Sequence, residues 1–220
     1  MALTWPPPMP SSSGRWLARQ RKDPYVKKAQ DAGWRSRAVF KLEEIDRRDQ
    51  LIRPGQIIVD LGAAPGGWCQ YAARKQKGRG RIIGLDLLPI DPLDGVELIQ
   101  GDFLSVEVAE ELAARLENRP VDLVLSDMAP NFSGIKNADL ARAYELAELA
   151  SEFAVKHLAG NGAFLVKIFQ GGEFESFRNL LRQHFQKVSV RKPEASRAES
   201  RELYLLAQGL KNADNAVNQD

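Results

Sequence analysis

Apolar residues along this chain fall into two alternating patterns. Short, nearly continuous apolar runs occur at "QIIVDLG" (56–62), "RIIGLD" (81–86), "VELIQGD" (96–102), "VDLVLSD" (121–127) and "AFLVKIF" (163–169). They are too short for buried helices and are bounded by glycine or acidic residues, so each is expected to be a strand. Between them the period changes to three or four, and helices are expected over 67–77, about 105–117, about 137–159 and 173–185. In the longest, Leu140, Tyr144, Ala147, Ala150, Ala154 and Leu158 share a face, and "GNG" (160–162) should end it. An earlier helix is expected from Ser36, a good capping residue, with Ala38, Leu42 and Ile45 at helical spacing and "RPG" (53–55) closing the unit. "KVSVRK" (187–192) and "ELYLLAQ" (202–208) are expected as the final strands.

Strands alternating with helices imply an α/β fold, a mostly parallel sheet with helices on both faces. The last two strands are separated by only about ten residues, too few for a helical crossover, so an antiparallel pair at the sheet edge is expected. The domain reading is a basic, partly flexible arm over 1–35, a catalytic unit over 36–208 and a flexible tail over 209–220.

Composition adds bounds. A chain of 220 residues with 44% hydrophobic residues is expected to form one domain with a real core. Its formal charge is only +2, but the distribution is uneven. Residues 1–35 carry Arg15, Arg19, Arg21, Lys22, Lys27, Lys28 and Arg35 against Asp23 and Asp31, with Trp16, Tyr25 and Trp34 interspersed. A second basic run holds Lys187, Arg191, Lys192, Arg197 and Arg201. Clusters at both ends of a near-neutral core are consistent with a polyanionic partner, or with a solvated surface. Cys69 is the single cysteine and His157 and His184 the two histidines, so neither a disulfide nor a metal site is expected. No apolar run approaches a membrane span, and the opening residues do not read as a signal peptide. A cytoplasmic protein is expected, with a monomer as the default.

The candidate chemistry lies at the predicted carboxyl ends of the strands, where open α/β sheets hold ligands. Asp60-Leu-Gly-Ala-Ala-Pro-Gly-Gly-Trp68 follows the first strand, and Gly62, Gly66 and Gly67 permit a tight turn. Asp86, Asp102 and Asp127 end the next three strands, and Asp86 is placed to accept hydrogen bonds from a ribose diol. The turn departs from the dinucleotide fingerprint, because Ala64 and Pro65 replace residues that would approach a pyrophosphate and proline has no N–H to offer. A nucleoside cofactor without phosphates fits better, and S-adenosylmethionine is such a molecule. Lys167 interrupts an otherwise apolar strand, where an unpaired ammonium is costly. It either marks an edge strand facing water or lies in the cleft beside Asp127, where amine and carboxylate could act on a hydroxyl. By themselves Lys41 reads as a snorkelling helix lysine and Glu202 as a strand-end salt bridge.

Taken together, "SRAVFKLEEID", "DLGAAPGGWCQY", "GLDLLPIDP", "GDF", "SDMAPNFSG", "FLVKIFQG" and "KPEASRAESRELYLLA" resemble the bacterial FtsJ-type heat-shock methyltransferases over residues 15–208. The resemblance implies a Rossmann-like class I methyltransferase fold with a seven-stranded sheet and an antiparallel last strand. It implies methylation of a uridine 2′-hydroxyl in 23S ribosomal RNA of the large subunit, with S-adenosylmethionine as donor. It places a catalytic tetrad on Lys41, Asp127, Lys167 and Glu202, and a cofactor pocket on Gly66, Trp68, Asp86, Asp102 and Asp127, with Gly62 shaping the turn. Of the two glutamates in "SRAESRE" the family pattern selects Glu202, while Glu199 dilutes the basic surface.

Three rivals remain at this level. A nicotinamide-dependent oxidoreductase shares the alternation but leaves Pro65 and Lys167 unexplained. A non-catalytic RNA-binding protein on the same scaffold would not need all four tetrad residues. A 2′-hydroxyl methyltransferase of messenger caps or transfer RNA would share the tetrad, and only the motif flanks favour ribosomal RNA.

Overall fold

The computed structural model describes residues 23–130, 133–197 and 200–211. Its elements in chain order are α1 (Pro24–Asp31), α2 (Val39–Asp49), β1 (Ile57–Leu61), α3 (Gly67–Gln76), β2 (Arg81–Asp86), β3 (Glu97–Gln100), α4 (Val106–Leu116), β4 (Val121–Ser126), α5 (Lys136–His157), β5 (Leu158–Phe169), α6 (Phe174–His184), β6 (Phe185–Arg191) and β7 (Glu202–Leu210). The seven strands form one sheet in the order β3-β2-β1-β4-β5-β7-β6. All neighbours from β3 to β5 pair in parallel, while β7 runs antiparallel to both β5 and β6. The antiparallel pair therefore sits at the edge, with β7 slotted inside β6. This is the class I methyltransferase arrangement. No helix among the described residues is long and apolar enough to cross a membrane.

Strand residues alternate between two cores. Val59, Leu61, Ile83 and Val124 pack beneath α4, α5 and α6 against Leu112, Tyr144, Ala150 and Phe177. Ile58, Ile82, Leu123 and Leu125 pack on the other face against Ala29, Leu42, Ile45 and Ala72 from α1, α2 and α3. Burial on both faces explains why β1, β2 and β4 read as continuous apolar runs.

Four boundaries differ from the sequence pattern. Part of the expected arm folds as α1, where the Asp23 carboxylate accepts from Tyr25 N (3.1 Å), Pro24 occupies the first turn, and Val26 and Ala29 are buried. Ser36 does not cap α2; the helix starts at Val39, with Ala38 before it and no side-chain cap. The "GNG" glycines do not end α5, because Leu158 already adopts an extended backbone and opens β5, which shifts register opposite Val121 and Leu123. Finally, β7 continues to Leu210, past the expected end of the catalytic unit at residue 208, and the expected tail from residue 212 on lies outside the described residues.

Candidate active site

Strand register brings the chemical side chains together. In the β5–β7 ladder Lys167 lies opposite Tyr204 and Phe169 opposite Glu202, so Lys167, Tyr204 and Glu202 share one face. Parallel pairing of Ser126 with Val166 sets Asp127 beside Lys167. The Lys167 ammonium donates to the Asp127 backbone carbonyl (2.5 Å) and lies 3.1 Å from the Asp127 carboxylate. The Tyr204 hydroxyl donates to that same carboxylate oxygen at 2.9 Å. Lys167 is in an internal strand, so the water-facing alternative is removed; its side chain is 9% exposed.

The second pair is Lys41 and Glu202, 2.6 Å apart and both largely buried. Lys41 projects from α2 over the Tyr204 ring, 5.9 Å from its centroid. Glu202 also accepts from the Ser196 hydroxyl (2.9 Å). The four residues expected as a tetrad thus meet around Tyr204, which the sequence pattern does not single out. A tyrosine in a strand is ordinary; only its register opposite Lys167 gives it meaning.

Burial pushes the Asp127 carboxyl up, but Lys167, Lys41 and the Tyr204 hydroxyl outweigh it and hold it below the usual carboxylate range. Burial, with Asp127 and Glu202 nearby, pushes the Tyr204 phenol well up, so it remains a donor. Asp60 differs. It is fully buried, its Oδ2 accepts from the Cys69 thiol (3.2 Å), and its Oδ1 has no partner. Burial first, then Asp127 and Asp86, push its carboxyl to about 7 against the stabilising Cys69 bonds.

A cavity of about 390 Å³ opens beside this group, lined by Gly62 and Ala64, by Asp86, Leu87 and Leu88, and by Asp102, Phe103, Asp127, Met128 and Pro130. Gly62 has φ +78°, and a Cβ there would fall 2.6 Å from Met128, so only glycine fits. The Asp86 carboxylate is pinned by the Ala64 amide and the Leu88 amide, both at 2.8 Å. Three acids line the cavity and, among the described residues, no lysine or arginine does, which suits a cationic nucleoside and repels phosphates. S-adenosylmethionine fits that description: apolar walls for a base, Asp86 for a ribose, and Asp127 near its charged end.

Two expected cofactor residues stand apart from the cavity. The Trp68 indole is buried away from it, donating to the Ala38 carbonyl (2.8 Å) and packing 5.8 Å from the Tyr204 ring. Only its backbone, in the first turn of α3, remains for a ligand. Gly66 backs onto Leu93, Arg35 and Ile90 rather than the cavity, and its φ of +100° starts α3.

A family model for FtsJ-like methyltransferases matches residues 34–210. The chain belongs to this family. Its methyl donor is S-adenosylmethionine. Among similar proteins is the ribosomal RNA large subunit methyltransferase E of Thiobacillus denitrificans, 55% identical over 200 residues, 91% of each chain. The enzyme of the same name from Legionella pneumophila is 54% identical over 198 residues, 90% of this chain and 96% of its own. A Plasmodium falciparum structure described as a ribosomal RNA methyltransferase superposes with a TM-score of 0.74 at 30% identity, covering 80% of this chain and 98% of that one. The MycE methyltransferase of the mycinamycin pathway, solved with SAH, shares the fold alone, with 14% identity and a TM-score of 0.52 over 94% of this chain and 60% of its own.

The basic runs are less free than their sequence implies. Arg191 makes two 2.7 Å hydrogen bonds to Asp49, and Arg197 pairs with Asp23 at 3.2 Å. Trp34 packs under the Arg74 guanidinium (3.9 Å), and Tyr25 packs 5.5 Å from Phe40, so each half-buried ring already has a protein neighbour. Trp16, Arg15, Arg19, Arg21, Lys22 and Glu199 lie outside the described residues.

Proposed function

We propose that this chain methylates a uridine ribose 2′-hydroxyl in 23S ribosomal RNA of the large subunit, acting as a cytoplasmic monomer. The large-subunit substrate rests on the names of relatives more than half identical over nine-tenths of the chain. The 2′-hydroxyl chemistry rests on Lys167, held by Asp127, which itself lines the cavity.

In this reading Lys41, Asp127, Lys167 and Glu202 are the catalytic group, and Gly62, Asp86, Asp102 and Asp127 line the cofactor site, with Gly66 and Trp68 contributing only the backbone that opens α3. Bound there, S-adenosylmethionine supplies a methyl group activated for in-line displacement. Lys167 spends two of its three ammonium donors on Asp127. The third is left for the 2′-oxygen, whose lone pair it turns toward the methyl group; as the C–O bond forms the C–S bond would break to leave S-adenosylhomocysteine, and the hydroxyl proton would pass to water, positioning supplying a large part of such rate enhancements. As the free amine, Lys167 would instead take the hydroxyl proton. Asp127 joins the cofactor and Lys167 sites, and the Lys41–Glu202 pair fixes the ribose side. RNA phosphates would lie on exposed Lys27, Lys28, Lys187 and Arg201, with the basic residues before residue 23.

Transfer of labelled methyl from S-adenosylmethionine to separated subunits, naked ribosomal RNA and transfer RNA tests this reading. Label is expected only in 23S RNA and as 2′-O-methyluridine after digestion. Label in transfer RNA or in a base would replace it.

A further inference from the structure

Two of the cavity's walls come from different parts of the chain. One is the glycine turn between β1 and α3, which contributes Gly62 and Ala64. The other is the end of β2 and the loop after it, which contribute Asp86, Leu87 and Leu88. Arg35 belongs to neither. It reaches in from the segment between α1 and α2, and its guanidinium donates to Pro65 O (3.4 Å) on the turn and to Asp91 O (2.6 Å) and Pro92 O (2.7 Å) on the loop. Its own backbone is fastened to α3, since Arg35 N donates to Gln70 Oε1 (3.0 Å) while Gln70 Nε2 donates to Gly33 O (2.9 Å). Behind Gly66, Ile90 and Leu93 close against the same spot.

Three carbonyls on two loops need a planar, forked donor, which an ammonium on a flexible stem cannot reproduce. The Asp86–Ala64 bond is a direct tie between the same walls, but it uses the carboxylate expected to face the cofactor ribose. A tie that leaves the cavity interior free is the one Arg35 supplies.

We propose that Arg35 is a positioning residue that sets the spacing of the two cavity walls and so the affinity for S-adenosylmethionine. The proposal rests on the cavity being the cofactor site. Arg35 touches neither the methyl group nor the 2′-oxygen; it acts through the turn and the loop.

The test is calorimetric titration of the full-length protein with S-adenosylmethionine and S-adenosylhomocysteine, together with steady-state kinetics on ribosomal RNA. Arg35→Met keeps the apolar stem and loses every donor; Arg35→Lys keeps one charge. For Arg35→Met the Kd and KM for S-adenosylmethionine are expected to rise about tenfold, the cost of one to two net hydrogen bonds. The kcat at saturating cofactor is expected to stay within about twofold, and the KM for RNA to stay constant. Arg35→Lys should fall between the two. Unchanged cofactor affinity in both variants overturns the proposal, and so does a rise in the KM for RNA alone, which would make Arg35 a phosphate contact. Should Arg35→Met lower the melting temperature sharply, Arg35→Lys decides by the same criteria. Asp86→Ala separates the two assumptions: if it leaves cofactor affinity intact, the location of the site is wrong, whatever Arg35 does.

Discussion

Lys167 and Tyr204 face each other across β5 and β7, and both donate to the Asp127 side chain. The carboxylate is thus held from two strands at once, and the lysine has no freedom to leave it without unpairing a largely buried charge.

Lys167→Ala should therefore abolish chemistry without abolishing binding. A loss of about 10²–10³ in kcat is expected from removing a donor aimed at the reacting oxygen. Titration with S-adenosylhomocysteine should give a Kd close to that of the wild type. Turnover within about threefold of wild type would remove Lys167 from the centre.

Tyr204→Phe takes one donor from Asp127 and keeps the ring that supports Trp68 and Lys41. A drop in kcat of about tenfold or less is expected, in line with one hydrogen bond to a charged group. The acid limb of the pH–rate profile should move to higher pH, because one of the groups that lower Asp127 is gone.

Lys41 and Glu202 should behave as a unit. Lys41→Met leaves Glu202 with Ser196, and Glu202→Gln leaves Lys41 half-paired. The double variant should be less impaired than the two single losses combined, with a coupling of about 1–3 kcal/mol in a double-mutant cycle. Additive losses would mean that the pair does not act together.

Asp60 makes stability depend on pH in the direction opposite to an ordinary salt-bridged acid. Its carboxyl lies at about 7 when folded against 3.8 as the reference value. Between those values the folded state binds more protons than the unfolded chain, so stability is full below about pH 4 and is lost as pH rises to about 7. The loss is on the order of 4 kcal/mol at 1.36 kcal/mol per pH unit. Denaturant unfolding at pH 5 and pH 8 should show about 2.7 kcal/mol of it in the wild type, the two pH units from 5 to 7, and much less in Asp60→Asn. An equal pH slope in both would mean that Asp60 is ionised throughout.

Methylation of RNA should fall steeply with salt, because several phosphates are neutralised on binding. Lys187→Gln with Arg201→Gln should lower the slope by about two, whereas Arg191→Gln, whose partner is Asp49, should act on stability instead. Equal slopes would move the RNA surface elsewhere.

Much of this was readable before folding. Continuous apolar runs reveal strands buried on both faces, and Lys167 stood out because it violates that pattern. What escaped depended on distant partners. Arg191 and Arg197 look like free charges until Asp49 and Asp23, 142 and 174 positions away, are placed beside them. Trp68 adjoins the glycine turn in sequence, yet helical rotation carries its indole toward Ala38 and the protein interior. α1 is short and strongly charged, and its two buried residues, Val26 and Ala29, are too few to show a period. Tyr204 matters only through a register that no local pattern encodes.

The position of β7 also ties the site to the integrity of the sheet edge. β6 precedes β7 in the sequence, yet among the described strands β7 lies between β5 and β6 and pairs with both. Tyr204 and Glu202 therefore reach Lys167 and Lys41 only on a strand inserted between two that come before it, so loosening β6 from β7 should loosen the partners of both lysines as well.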